Sequence, residues 1–345
     1  MKYKSCGFVK YGIYFNYDYD IRLCCQISHI GGGLIYLLKD FNPKKIEIDK
    51  ILQTRKQIQQ NFLNGHIPPN CEGCMDLKEC DIPQNETKIK ILMLQHWTKC
   101  NSNCIYCYTA NNKKEYNTRR SYEIYPILKK MNSLNILDKN GLVNFSGGEV
   151  SCLPEFGKVV KFLDKLNYFM VINSSGIKYE KIVGDRLRKG NSCIIISVDS
   201  GTKETYEKIK RVKKFDDVWK NIKKYSNDVK HKHLLNIKYI LLPGINDNEK
   251  EIDSWLNLCV NANVKNVVLG IDANFFEPNR DNIPEHILNL FYETKEKAEK
   301  LGLTFYIANR ATTMLTKGKY ANKMWKKYRY DDGPYSDYYF NEKRI

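Results

Sequence analysis

The sequence predicts an α/β fold built on parallel strands between Lys88 and about Ile307, and three observations carry that prediction. Short apolar runs of strand length recur along this stretch. The longer segments between them repeat apolar residues at helical spacing. The alternation of run and helix persists throughout, as in βα units whose strands are buried on both faces.

The elements follow in order. Residues 1–87 hold Cys6, Cys24, Cys25, Cys71, Cys74 and Cys80, half of the chain's 12 cysteines. Within them Ile46 to Leu63 reads as a helix, with Ile48, Ile51, Leu52, Ile58 and Phe62 roughly on one face. "NGHIPPNCEGC" then breaks regular structure through Gly65, Pro68 and Pro69. This first part reads as a small, loop-rich module that needs metal to hold it together. From Lys88 the runs are "IKILML", "LVNF", "FMVIN", "CIIISVD", "LNIKYILL" and "NVVLGI". Phe156, Val159, Val160, Leu163 and Leu166 mark one intervening helix; Ile252, Trp255, Leu256, Cys259 and Val260 mark another. Six such units suggest an open barrel or a doubly wound sheet. After Ala311 the tail mixes basic and aromatic residues and reads as an amphipathic cover, with stacking on bases the other reading.

Composition narrows the class. The chain has 345 residues, 42% of them hydrophobic, which excludes a disordered polymer. No apolar run approaches the ~18 residues of a membrane span. The opening "MKYKSCGFVKYGIYFNYDYD" shows no signal-peptide pattern. A cytoplasmic protein is therefore expected, in which thiols stay reduced and cysteines point to metal or redox chemistry. The formal charge of +17 admits a polyanion such as RNA as partner, but it is spread along the chain and comes mostly from lysine.

The chemistry is concentrated in "CNSNCIYCY", where Cys100, Cys104 and Cys107 are spaced C-x3-C-x2-C directly after the first predicted barrel strand. Loops after strands form the functional face of parallel α/β folds. A structural zinc wants four protein ligands. A cubane iron–sulfur cluster is usually held by four thiolates, so three leave one iron open. A zinc ribbon drawn from Cys71, Cys74, Cys104 and Cys107 would strand Cys100. It would also leave unexplained the "NFSGGEV" that ends the second strand. There Gly147 and Gly148 let a ligand approach the backbone, and Glu149 offers a carboxylate to an ammonium group. Cys152, Cys193 and Cys259 stand alone and read as small core residues.

The cysteine triplet followed by Gly-Gly-Glu resembles the pattern of the radical S-adenosylmethionine (SAM) superfamily, over roughly residues 88–307. "VINSSG", "ISVDSGTKETYEKIK" and "YILLPGINDNEKEI" add to the likeness. The resemblance implies a partial (βα)6 TIM-type barrel over 88–310 and a [4Fe–4S] cluster on Cys100, Cys104 and Cys107, whose open iron chelates SAM. It implies reductive cleavage of SAM to a 5′-deoxyadenosyl radical that takes hydrogen from a substrate. It places Gly147, Gly148 and Glu149 at the methionine amino group and Tyr106 by the adenine. Asn173, Ser197 and Asp199 are expected at the ribose or methionine portion; for Ser197 and Asp199 the alternative is capping the helix that begins near Thr202.

"PPNCEGCMDLKEC" together with the earlier cysteines is similar to a SPASM-type module, which carries auxiliary iron–sulfur clusters in many radical SAM enzymes. That resemblance implies one auxiliary [4Fe–4S] cluster on Cys6, Cys24 or Cys25, Cys71 and Cys74 within residues 1–87, with zinc the rival metal. The module precedes the barrel here, whereas it usually follows. The substrate class so implied is a peptide or a small molecule, with an electron donor such as flavodoxin or ferredoxin. RNA modification is the second reading, a non-catalytic iron–sulfur or zinc scaffold the third, and no membrane partner is expected. Residues 311–345 form the C-terminal basic and aromatic extension.

Overall fold

All six apolar runs form strands in the structure, a computed structural model that describes residues 2–24, 34–72, 74, 77–81, 88–107, 121–276, 279 and 283–308. The strands in chain order are β1 (Lys2–Ser5), β2 (Gly12–Asn16), β3 (Ile21–Arg22), β4 (Tyr36–Leu38), β5 (Lys78–Asp81) and β6 (Ile89–Gln95). They continue as β7 (Leu137–Phe145), β8 (Phe169–Ser174), β9 (Ser192–Ser197), β10 (Leu235–Leu241), β11 (Asn266–Ile271) and β12 (Thr304–Ile307). The helices are α1 (Gly7–Tyr11), α2 (Ile48–Leu63), α3 (Tyr125–Ser133), α4 (Phe156–Lys165) and α5 (Lys181–Lys189). After these come α6 (Lys203–Lys210), α7 (Phe215–Asp228), α8 (Glu249–Asn261), α9 (Ala273–Phe276) and α10 (Glu285–Lys300).

The chain forms two compact units, and the division passes through β8. The first holds the described residues up to 99 and those from 121 to 170. Its strands run in the order β7-β6-β2-β3-β4. β7, β6 and β2 are parallel, and the short β3 and β4 are antiparallel additions. Gly12 to Asn16 are all buried and pair residue for residue with Ile91 to Gln95. Residues before 88 thus extend the same sheet as the first strand of the expected barrel. β1 and β5 form a separate antiparallel ribbon that sets Ser5 opposite Lys78.

The second unit holds residues 100–107 and the described residues from 171 onward. β9, β10, β11 and β12 lie side by side and parallel, each joined to the next through helix. β12 is a further strand beyond the six read from the sequence. Thr202 caps α6 by accepting from the Thr205 N–H at 3.4 Å, and Asn248 caps α8 through the Glu251 N–H at 3.1 Å. Trp255 of α8 packs on Tyr239 of β10 with ring centroids 4.9 Å apart, both buried. Cys193 and Cys259 are fully buried, as small core residues should be. The expected helix at 46–63 begins at Ile48, after a 3₁₀ turn at Pro43–Lys45.

No helix among the described residues is long and apolar enough to cross a membrane. The tail from 311, and Cys25, lie outside the described residues.

Candidate functional site

The loop after β6 carries the three cysteines, each partly exposed. Its backbone is fixed within the second unit: Asn103 N–H donates to the Lys210 carbonyl and Ile105 N–H to the Ile209 carbonyl, both at 3.0 Å. Asn101 Oδ1 accepts from the Ser175 hydroxyl at 2.9 Å. The Cys100 and Cys104 sulfurs lie 3.3 and 3.5 Å from the one Ser102 hydroxyl. Among the described residues, no three His, Cys, Asp or Glu side chains converge on a point that would hold a single metal ion. Three soft thiols fanned across one short loop suit a cubane, which takes each thiolate at a different iron.

The Gly-Gly-Glu turn belongs to the first unit and follows β7. Gly148 N–H donates to the Trp97 carbonyl at 3.0 Å and Glu149 N–H to the Lys99 carbonyl at 2.8 Å. The Trp97 indole N–H returns a bond to the Glu149 carbonyl at 3.2 Å. The turn is therefore laced to the three residues just before Cys100. Both glycines are required there. Gly147 has φ of +101°, and a Cβ on it would come within 2.7 Å of Gln95 Cγ. A Cβ on Gly148 would strike the Lys99 carbonyl oxygen and approach Trp97 Cδ1 to 2.6 Å. Glu149 is 3% exposed, and its carboxylate accepts from Ser151 N–H at 3.4 Å.

Beneath this turn, His96 is buried between Trp97 and Tyr122, at ring-centroid distances of 4.8 and 5.6 Å. Its Nε2 is 3.4 Å from Glu155 Oε1, yet neither ring nitrogen makes a well-aligned hydrogen bond. Burial outweighs the pull of Glu155 and lowers the His96 pKa, so the ring is neutral. Glu155 also accepts from the N–H groups of Ile124 and Tyr125, at 2.6 and 3.2 Å, and so anchors the start of α3.

The remaining expected ligands fall in the second unit. Asn173 is half-buried in β8, and Ser197 ends β9 opposite Lys238 of β10. Tyr106 and Asp199 are drawn into the protein. The Tyr106 hydroxyl donates to Asp199 Oδ2 at 2.5 Å, and the Lys210 ammonium pairs with the same oxygen. Lys210 also donates to the Tyr106 hydroxyl at 3.0 Å. Asp199 Oδ1 accepts from the Ile240 N–H at 2.8 Å. Both carboxylate oxygens expected at the SAM ribose or methionine are thus engaged within the chain, and the helix near Thr202 is capped by Thr202 itself. Burial and then Asp199 raise the Tyr106 pKa far above the phenol range. Burial would lower that of Lys210, but Asp199 and Cys104 outweigh it and keep the ammonium charged.

Lys210, Trp97, Asn246 and Glu251 escaped the sequence reading. Lys210 sits in "EKIKRVKK", where one lysine among several carries no signal of burial.

The N-terminal cysteines lie in the first unit. Cys71 and Cys74 share a turn, with Cys74 N–H bonded to the Cys71 carbonyl at 3.1 Å. Burial, then Cys74, pushes the Cys71 thiol up to about 11. The β1–β5 ribbon brings the Cys6 end of the chain towards this turn, and Cys80 Sγ lies 3.9 Å from the Ser5 carbonyl oxygen. Cys24, 8% exposed, follows β3.

Residues 94–256 match the profile of the radical SAM superfamily. GTP 3′,8-cyclase of Clostridium botulinum is 30% identical over 175 residues, which are 50% of this chain and 53% of that protein. The chain thus spans about half the length of the curated relative. An uncharacterised protein of Methanocaldococcus jannaschii is 27% identical over 252 residues, 68% of this chain and 78% of that one. Among solved structures, Streptococcus suis SuiB bound to the precursor peptide SuiA aligns with a TM-score of 0.50 at 13% identity, covering 80% of this chain and 57% of that one. At that identity the likeness is one of fold: a mixed α/β architecture with parallel strands, as in radical SAM partial barrels.

Proposed function

We propose that this chain, whose residues 94–256 form a radical SAM domain, is an enzyme that cleaves SAM reductively and abstracts hydrogen from a peptide or small molecule. The superfamily's cofactors are a [4Fe–4S] cluster and SAM. When bound, they supply a one-electron cleavage of the sulfonium whose adenosyl fragment takes hydrogen from the substrate. Cys100, Cys104 and Cys107 hold the cluster. Gly147 and Gly148 shape the tight turn at the methionine amino group, and Glu149 supplies its counter-charge. Asn173 and Ser197, polar groups at neighbouring strand ends, are assigned to the rest of SAM.

The observation that carries this reading is the lacing of the Gly-Gly-Glu turn to the Trp97 and Lys99 carbonyls. It ties a carboxylate to the chain that enters the cysteine loop, an arrangement without use in a zinc scaffold. The extended reading adds one auxiliary [4Fe–4S] cluster on Cys6, Cys24, Cys71 and Cys74, in a SPASM-like segment over residues 1–87. It is supported by the ribbon that draws Cys6 towards the Cys71–Cys74 turn. A nucleotide is the second substrate reading, supported by the sequence likeness to GTP 3′,8-cyclase.

The test is anaerobic reconstitution with iron, sulfide, SAM and reductant, followed by quantification of 5′-deoxyadenosine with a peptide panel and with GTP. Production above the uncoupled background with one class selects that substrate. No 5′-deoxyadenosine under any condition, from protein with a full complement of iron, sinks the reading.

A further inference from the structure

Lys210 is 2% exposed and fully enclosed at its ammonium, on the last residue of α6. A lysine buried to this depth must spend its three N–H donors inside the protein, and a lone buried charge would be costly. Lys210 pairs with Asp199 Oδ2, donates to the Tyr106 hydroxyl at 3.0 Å and stands 5.3 Å above the Tyr106 ring centroid. Tyr106 lies between Cys104 and Cys107. Lys210 grips the loop a second time, because its carbonyl accepts the Asn103 N–H and its neighbour Ile209 accepts that of Ile105. Cys104 is therefore held between two backbone bonds to the end of α6.

The other end of this clamp is rigid. Asp199 has φ of +60°, a left-handed conformation uncommon outside glycine that persists where the surroundings impose it. Here Asn246 Nδ2 donates to the Asp199 carbonyl at 2.8 Å and Ile240 N–H to its carboxylate at 2.8 Å. Glu251 fixes the next residues, accepting from the N–H groups of Gly201 and Thr202 at 2.7 and 3.2 Å and from the hydroxyls of Thr202 and Thr205 at 2.5 and 2.7 Å. The strained turn after β9 thus presents a carboxylate already fixed in place.

We propose that Lys210 is a positioning residue for the cluster-binding loop: through Asp199 and Tyr106 it locks the Cys104–Cys107 segment onto the β9–α6 turn and sets a permanent positive charge beside the thiolates. The inference rests on the reading of the three cysteines as cluster ligands, but its first test needs no cluster. A fixed cation there favours the more negative, reduced state of whatever the thiolates hold, so its removal lowers the reduction potential.

The variants are Lys210→Met, Lys210→Arg, Tyr106→Phe and the double Lys210→Met/Asp199→Asn. The double variant removes both charges and leaves none unpaired, so it avoids the buried lone carboxylate that destabilises the single variant. In apo protein, iodoacetamide labelling is mapped by mass spectrometry at Cys100, Cys104, Cys107 and, as internal controls, the buried Cys193 and Cys259. Lys210→Met and the double variant should label Cys104 and Cys107 at least several-fold faster than wild type, with the controls unchanged. Tyr106→Phe should show a smaller rise, and Lys210→Arg should restore part of the protection. After reconstitution, Lys210→Met should titrate at a more negative midpoint than wild type and Lys210→Arg close to wild type. Wild-type labelling rates in the double variant, or a rise shared by Cys193 and Cys259, would overturn the loop-locking role. An unchanged midpoint in Lys210→Met would overturn the electrostatic one. Wild-type protein that takes up no iron would instead sink the cluster assignment while leaving the labelling result intact.

Discussion

At the scale of single residues, the candidate site was legible where chemistry demands a spacing and illegible where it demands only a neighbour. Cys100, Cys104 and Cys107 announce themselves because three thiolates on one short loop have few other uses. Gly147 and Gly148 do so because one has positive φ and the other abuts the Lys99 carbonyl, so only glycine fits. Asp199 was visible as a polar residue after a strand, but its partners are 11 and 93 positions away, and sequence holds no trace of such a pairing. Two predictions belong here. Replacing Cys100, Cys104 and Cys107 together by Ala should abolish 5′-deoxyadenosine formation; measurable turnover in that variant would remove the triplet from the chemistry. Glu149→Gln should retain the iron of the catalytic loop and bind SAM more weakly. The loss is one charge-assisted hydrogen bond, about 1.5–3 kcal/mol or roughly 10- to 100-fold in Kd. Calorimetric titration with SAM reads it, and an unchanged Kd would take Glu149 out of the site.

At the scale of elements, apolar runs of strand length all became strands, because burial on both faces leaves a continuous hydrophobic signature. β2 was missed for the opposite reason: "GIYFN" is short, tyrosine-bearing and followed by acidic residues, although every residue of it is buried. The end of β6 carries a pH dependence that the sequence could not show. His96 is neutral in the fold because burial lowers its pKa, whereas in the unfolded chain it takes up a proton near pH 6.5. The unfolded state therefore binds more protons below that pH, and His96's contribution to stability, complete above about 6.5, is lost on acidification. Glu155 acts in the same direction lower down. Burial raises its pKa, but the nearby His96 ring and the N–H bonds from Ile124 and Tyr125 together win and lower it, so its contribution is present above the usual carboxylate range and lost as pH falls through the depressed value. Thermal unfolding should accordingly show a falling midpoint from pH 7.5 to 5. His96→Phe, which keeps the packing on Trp97 and Tyr122, should flatten the part of the slope just below 6.5. An identical slope in the variant would mean another group is responsible. Glu251, 5% exposed, supplies the acceptor for two N–H groups and two hydroxyls at the start of α6. Glu251→Ala should cost about 2–4 kcal/mol and accelerate amide hydrogen exchange at Gly201 and Thr202 ahead of the rest of the second unit. Exchange at wild-type rates there would show that the turn after β9 is held by Asn246 alone.

At the scale of the whole molecule, the sequence suggested a boundary near residue 87, where texture and cysteine density change. The fold obeys a different rule. β2 needs a parallel partner to satisfy its backbone groups, and it finds β6, so the residues before 88 enter the main sheet rather than forming a core of their own. This changes what the N-terminal cysteines are expected to do. Had they stapled a module without a hydrophobic core, their loss would unfold it. With α1, β2 and α2 packed in the first unit, including the Arg55 guanidinium bonded to the Lys10 carbonyl, the segment has apolar support that does not depend on metal. Replacing Cys6, Cys24, Cys71 and Cys74 by Ala should therefore leave the helical circular dichroism close to wild type. It should remove one class of bound iron and abolish substrate conversion while sparing uncoupled SAM cleavage. The Cys71 thiol, which burial and Cys74 push to about 11, is protonated at neutral pH when free, so metal loading at this site must release its proton. Loading should accordingly weaken as pH falls, and the deciding measurement is made in the Cys100/Cys104/Cys107→Ala variant, where no other cluster competes. Purified anaerobically, that protein should retain iron and acid-labile sulfide. Zinc in their place would make the segment a structural metal site, and the absence of both metals would leave the four thiols without the role proposed for them.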